Sequence, residues 1–187
     1  MAARIQKGLL WAGLPLLVLA GGCGNYNITF EVADVINAPG PDVTREMLDV
    51  DILCLTRKEV ERHPEIVNGT MRADEWFKAR DEDSPRIGDI PPQRIYSLRR
   101  GEAGNRRDTL VGPPLLSFVD RKDGRRTTKV AVHHPAFLND QSAIVIYGRF
   151  SDPTGIAKTP PLVLQPPPRW KTDLKIQVGR RDMQRVE

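Results

Sequence analysis

The sequence predicts a mainly β protein, an antiparallel β-sandwich of seven or eight strands with one or two short helices after the second strand. Three observations lead there. The chain beyond residue 24 is patterned mostly at period two, the spacing that puts side chains on one face of a strand. The alternating stretches are separated by Pro, Gly and Asp clusters. Four of these, Pro91-Pro92, Pro113-Pro114, Pro160-Pro161 and Pro166-Pro167-Pro168, cannot donate ladder hydrogen bonds and so mark loops or protected edges. Helix-start signals are confined to residues 56–80, and many short strands with minor helix favour a sandwich, with a partly closed barrel as the competitor.

Each element has its own residues behind it. Ile28, Phe30 and Val32 alternate with Thr29 and Glu31, giving a first half-buried strand. Ala38-Pro39-Gly40-Pro41-Asp42 then forces a loop. Leu48, Val50, Ile52 and Cys54 share one face of a second strand that ends at Thr56. Thr56 and Glu59 have capping-box spacing, in which hydroxyl and carboxylate satisfy free N–H groups at a helix start, and Pro64 limits that helix to about two turns. Thr70 is placed to cap a second helix over 71–80, anchored by Trp76 and Phe77 and ended by the 81–85 segment.

Strands resume at 94–98, 115–119 and 128–132, the last two flanking Asp123-Gly124, a dipeptide that favours tight hairpin turns. Residues 142–150 are apolar at nearly every position, as in a central strand covered on both faces. Residues 162–165 and 172–178 complete the set, the latter alternating through Leu174, Ile176 and Val178.

A chain of 187 residues with 40% hydrophobic and 28% charged residues reads as one ordinary globular domain, over residues 23–187, behind a leader at 1–22. The leader has a basic start (Arg4, Lys7), an apolar run over 9–20 and small residues Gly21-Gly22, the order of a secretory signal. The run is interrupted by Pro15 and is too short to cross a bilayer, which takes about 20 residues of helix. The whole chain has 28 Lys+Arg and 24 Asp+Glu; removing the leader takes away two bases and no acid, leaving a net charge of +2. So small a surplus argues against a nucleic-acid partner.

Leu19-Ala20-Gly21-Gly22-Cys23 resembles the bacterial lipobox, in which the Cys is acylated on sulfur and becomes the new N-terminus. Ala20 stands where that motif most often has Leu. The resemblance implies a lipid attached at Cys23, and several acyl chains hold a protein stably at a membrane. Gly24 follows the Cys; the absence of an Asp there implies the outer membrane, facing the periplasm. With Cys23 acylated, Cys54 has no intramolecular partner and reads as a buried structural thiol.

Motifs of common catalysis are missing: there is no G-x-S-x-G elbow, no phosphate loop and no H-E-x-x-H zinc helix. His133 and His134 are neighbours on a strand, so they point to opposite faces and make a poor metal pair, and His63 stands alone before Pro64. Asp81-Glu82-Asp83 and Asp120 with Asp123-Gly124 do not match a calcium-loop pattern. The expectation is no metal, no cofactor and no catalytic residue. Four pairs, Arg99-Arg100, Arg106-Arg107, Arg125-Arg126 and Arg180-Arg181, either gather into an anion-binding patch or lie scattered as solubilising charge.

The order of segments resembles the small outer-membrane lipoproteins of type VI secretion systems, the TssJ family. Residues 27–32 look like that family's first strand, and Ile36-Asn37-Ala38-Pro39-Gly40 like the Asn-Pro loop after it. Residues 51–55 are similar to its second strand, Ala73-Asp74-Glu75-Trp76-Phe77 to its Ala-Asp-aromatic-aromatic segment, and residues 143–152 to its late apolar strand. Residues 156–160 lack the Trp usual after that strand. The resemblance implies a non-enzymatic tether that binds the periplasmic domain of a large inner-membrane protein. The loop between the first two strands takes part in that binding, here Asn37, Pro39, Gly40, Pro41 and Asp42. The alternative is an envelope lipoprotein that binds polysaccharide or another ligand in a sandwich groove, which requires exposed aromatics at Trp76, Tyr147 or Trp170.

Overall fold

Alternation of Ile28, Phe30 and Val32 with polar residues builds β1 (Asn25–Val32), whose apolar side chains are buried. The structure is a computed structural model and describes residues 25–33, 36, 48–98, 111–112, 126–133, 142–165 and 173–186. The remaining elements in chain order begin with β2 (Val50–Leu55), α1 (Arg57–Arg62), α2 (Pro64–Val67), α3 (Ala73–Asp81) and β3 (Ile95–Leu98). They continue with β4 (Val111–Gly112), β5 (Arg126–His133), β6 (Ala143–Gly148), β7 (Ser151–Asp152) and β8 (Gly155–Ile156). The last three are β9 (Leu162–Leu164), β10 (Asp173–Val178) and β11 (Met183–Val186).

One sheet has the order β11-β10-β1-β5 and the other β4-β3-β2-β6-β9, with β7 and β8 as a separate hairpin. Ile28, Phe30, Leu174, Ile176 and Val178 of the first sheet meet Val50, Ile52, Cys54, Ile144 and Ile146 of the second in a common core. Each such side chain contributes roughly 1.5–3 kcal/mol when fully buried. Residues 48, 50, 52 and 54 share one face, as the period-two reading required.

The opposite face of the second sheet is also buried. Leu53, Leu55, Val145 and Tyr147 form a second core with Ile66, Met71, Trp76, Phe77, Ile87 and Ile90 of the helical segment. This is why β2 and β6 are buried at every position while β10 alternates between exposed and buried. The helices thus make a third layer over one sheet, and the other sheet turns a polar face to water.

The helix signals resolve differently. Thr56 caps α1, and the Glu59 carboxylate accepts from the Thr56 N–H (2.6 Å) and hydroxyl (2.7 Å). Pro64 ends α1 as expected and then opens α2, because a proline at the first helical turn gives up no intrahelical bond. Thr70 does not cap the next helix: α3 starts at Ala73 after Arg72, and Thr70 donates from its N–H (2.9 Å) and its hydroxyl to the Asn68 side chain. That local turn is stabilised by Gly69 at φ +74°.

The described residues hold eleven strands, the additions to the expected set being the two-residue pieces β4, β7 and β8 and the polar β11. Two pairings, β1 with β10 and β3 with β4, are parallel, so the sandwich is mixed rather than wholly antiparallel. The expected strand at 115–119, the Asp123-Gly124 turn and the leader lie outside the described residues.

Candidate functional site

Strand register places the ends of both sheets. Val32 pairs with Val178 and with Arg126, while Val50 pairs with Gly148 and with Leu98. These two sets of strand ends lie together. The Met183 methyl is 3.0 Å from where a Cβ on Gly148 would stand, and Arg181 acts electrostatically on Asp152. Ala33 donates its N–H to the Val178 carbonyl at 3.0 Å, and Arg149 its N–H to the Asp49 carbonyl at 2.9 Å. The connection from β1 to β2, the β7–β8 hairpin and the β10–β11 turn therefore all leave from one end, where sandwiches commonly carry binding loops.

Asn37, Pro39, Gly40, Pro41 and Asp42 lie outside the described residues, as does Cys23. What flanks the loop is clear. Ile36 before it and Leu48 after it are both 0% exposed and belong to the inter-sheet core. The departure and return points of residues 37–47 are thereby fixed to the body of the sandwich.

At this end, the Asp152 carboxylate accepts from the N–H (3.0 Å) and hydroxyl (2.8 Å) of Thr154. These bonds, with Arg181 as a smaller influence, hold its pKa below the ordinary value. Arg149 pairs with Asp81 at 3.0 Å and lies over the Phe77 ring at 5.5 Å, joining the end of β6 to the end of α3.

The buried polar group that the sequence did not announce is Asp51. Its carboxylate accepts from Trp76 Nε1 (2.8 Å), from Arg80 (2.5 Å) and from the Ser97 hydroxyl (2.7 Å). Trp76 also stacks on Tyr147 with ring centroids 5.1 Å apart. Period two put Asp51 on the face opposite Val50 and Ile52; the missing signal was that helices cover this face too. With all these groups sealed between sheet and helix, the arrangement fixes α3 in place and offers no reacting atom to solvent.

The other candidates separate as follows. Cys54 is buried and free, and burial pushes its thiol up to about 12, with Arg94 opposing and Glu59 adding to the shift. Such a thiol is inert, in keeping with a structural role. His63 is buried with Nε2 2.8 Å from Asp89, His133 is the last residue of β5, and His134 lies outside the described residues. Among the described residues no His, Cys, Asp and Glu gather into a metal site. Asp81, Glu82 and Asp83 are exposed.

Arg180 is exposed on the β10–β11 turn beside Arg181, and Arg126 opens β5; the other paired arginines lie outside the described residues. Trp76 and Tyr147 are fully buried, so neither supplies the exposed aromatic that a polysaccharide groove requires, and Trp170 lies outside the described residues. Among the described residues no helix is long and apolar enough to cross a membrane.

Comparison with solved structures gives the architecture a precedent. The fold is similar to a chain of a structure titled "Type VI membrane complex", with a TM-score of 0.50 and 16% identity over 88% of this chain and 98% of that one. Serratia marcescens Lip, described as a membrane-bound component of the type VI secretion system, gives a TM-score of 0.45 and 12% identity over 88% and 98%. The type VI lipoprotein TssJ1 of Pseudomonas aeruginosa gives 0.44 and 15% over 87% and 95%. At 16% identity the likeness to the first of these is one of fold alone. No family model and no curated protein matches the chain.

Proposed function

We propose that this chain is a lipid-anchored, non-enzymatic protein-binding module of the cell envelope. In this reading residues 1–22 are removed and Cys23 is acylated. The domain at 23–187 sits at the outer membrane facing the periplasm and tethers a type VI secretion-like complex. The partner is the periplasmic domain of a large inner-membrane protein, bound by Asn37, Pro39, Gly40, Pro41 and Asp42.

The observation that carries the reading is the pair of buried residues, Ile36 and Leu48, that fix both ends of this loop to the sandwich core. A loop held at both ends and restricted by two prolines loses little freedom when it docks, which favours affinity. The fold likeness to a chain of a type VI membrane complex supports the choice of assembly.

The test is affinity purification from envelope membranes, with a Cys23→Ala version as control and a lipid probe read on the same samples. Incorporation of the probe at Cys23 and recovery of one large inner-membrane protein, lost in an Asn37→Ala, Asp42→Ala version, is the expected result. A labelled protein that recovers no partner removes the tethering role. A protein that takes up no lipid removes the anchor.

A further inference from the structure

We propose that the domain stands end-on at its membrane, with the Asn25 end of the sandwich against the lipid headgroups and the end at Val32, Val178 and Val50 pointing away from it. This rests on acylation of Cys23. From Cys23 to Asn25 is two residues, a reach of at most about 7 Å. The headgroup region on each side of the hydrocarbon is itself roughly 5–7 Å deep. A tether of that length is used up in clearing the headgroups, so the first paired residue of the sandwich emerges at the lipid surface.

Register then says what else lies there. Asn25 pairs with His133 and Asn27 with Asp173, while Leu55 pairs with Ala143 and Ile144 with Leu164. Val32, Val178, Val50 and Gly148 belong to the other end. Seven residue steps separate Asn25 from Val32 along β1, which at about 3.3 Å each is ~23 Å. The strand ends at Val32, Val178 and Val50 and the β10–β11 turn are therefore held roughly that far from the headgroups, on the aqueous side.

The experiment uses the full chain, purified from membranes in its acylated form and reconstituted into vesicles of phosphatidylethanolamine and phosphatidylglycerol that carry a headgroup-linked quencher. A fluorophore is attached at Gln165→Cys, just past the end of β9, or at Arg180→Cys on the β10–β11 turn, both exposed positions. Cys54 is buried and does not compete for the label.

The expected result is quenching several-fold stronger at residue 165 than at 180, with the contrast shrinking when a long Gly-Ser spacer is inserted after Gly24. Vesicle flotation with equal quenching at both positions, or stronger quenching at 180, overturns the orientation while leaving the anchor intact. Failure to float overturns the anchor and the orientation with it.

Discussion

Arg80 and Asp51 form an ion pair at 2.5 Å with both side chains wholly sealed from water. The two residues belong to α3 and β2, so the bond ties the helical layer to the sheet beneath it. Two buried charges are costly alone, and the further donors from Trp76 and Ser97 are what make the carboxylate tolerable there. The arrangement selects one seat for α3 where apolar packing alone would permit several.

Asp51→Ala removes the carboxylate that pairs with Arg80 and accepts from Trp76 and Ser97, and is expected to cost about 3–5 kcal/mol of stability. Urea unfolding followed by far-ultraviolet circular dichroism checks this. A midpoint equal to that of the parent chain would show that α3 is held by apolar contacts alone.

Gly148 lies at the turning point between β6 and the loops. A Cβ there would stand 2.7 Å from the Phe150 ring and 3.0 Å from the Met183 methyl. Gly148→Ala is therefore expected to lower stability by roughly 1–3 kcal/mol through overpacking. Thermal unfolding measures it, and an unchanged melting temperature would mean that both side chains move aside freely.

How much of this was legible in the sequence depends on range. The inward faces of β1 and β10 follow from Ile28, Phe30, Val32, Leu174, Ile176 and Val178, because period two is a local property. Thr56 and Glu59 announced α1 three residues apart. By contrast, the partners of Asp51 lie 25, 29 and 46 residues away, so nothing near it marked the carboxylate as buried. The Met-Gln-Arg-Val segment of β11 is an edge strand with two exposed positions, and lacks an apolar rhythm to find. For residues 38–42, which lie outside the described residues, the prolines and glycine predict a loop, and the role given to it comes from resemblance alone.

Glu59→Ala removes the carboxylate that accepts from both groups of Thr56 at the start of α1. The expected loss is about 0.5–2 kcal/mol, the usual cost of losing a cap. Amide exchange localised to residues 56–60 should accelerate in the variant. Uniform acceleration over the whole chain would instead point to a global role for Glu59.

Alkaline pH should destabilise the fold. The Cys54 thiol ionises near its ordinary value of 9.0 in the unfolded chain but only at about 12 in the buried site, chiefly because burial disfavours the thiolate. The Tyr147 phenol is shifted in the same direction by burial. Above pH 9 for Cys54, and above pH 10 for Tyr147, the folded state holds protons that the unfolded state has released, so stability falls as pH rises, by up to about 1.4 kcal/mol per unit for each group. Below pH 9 neither group contributes a slope. Chemical unfolding at a series of pH values should show a shallower decline for Cys54→Ala, and identical slopes would remove the thiol from the explanation.

The position of β1 between β10 and β5 sets a timetable for folding. Asn27 is matched with Ala131 on one side and Asp173 on the other, so the strand that emerges first has no neighbour until most of the chain exists. Contacts of such long sequence separation slow folding and leave early strands exposed. Until residues 173–178 arrive, the backbone N–H and C=O groups along one edge of β1, over residues 27–32, have no strand to pair with. A chain truncated before β10 is thus a substrate for chaperones and proteases rather than a smaller working protein.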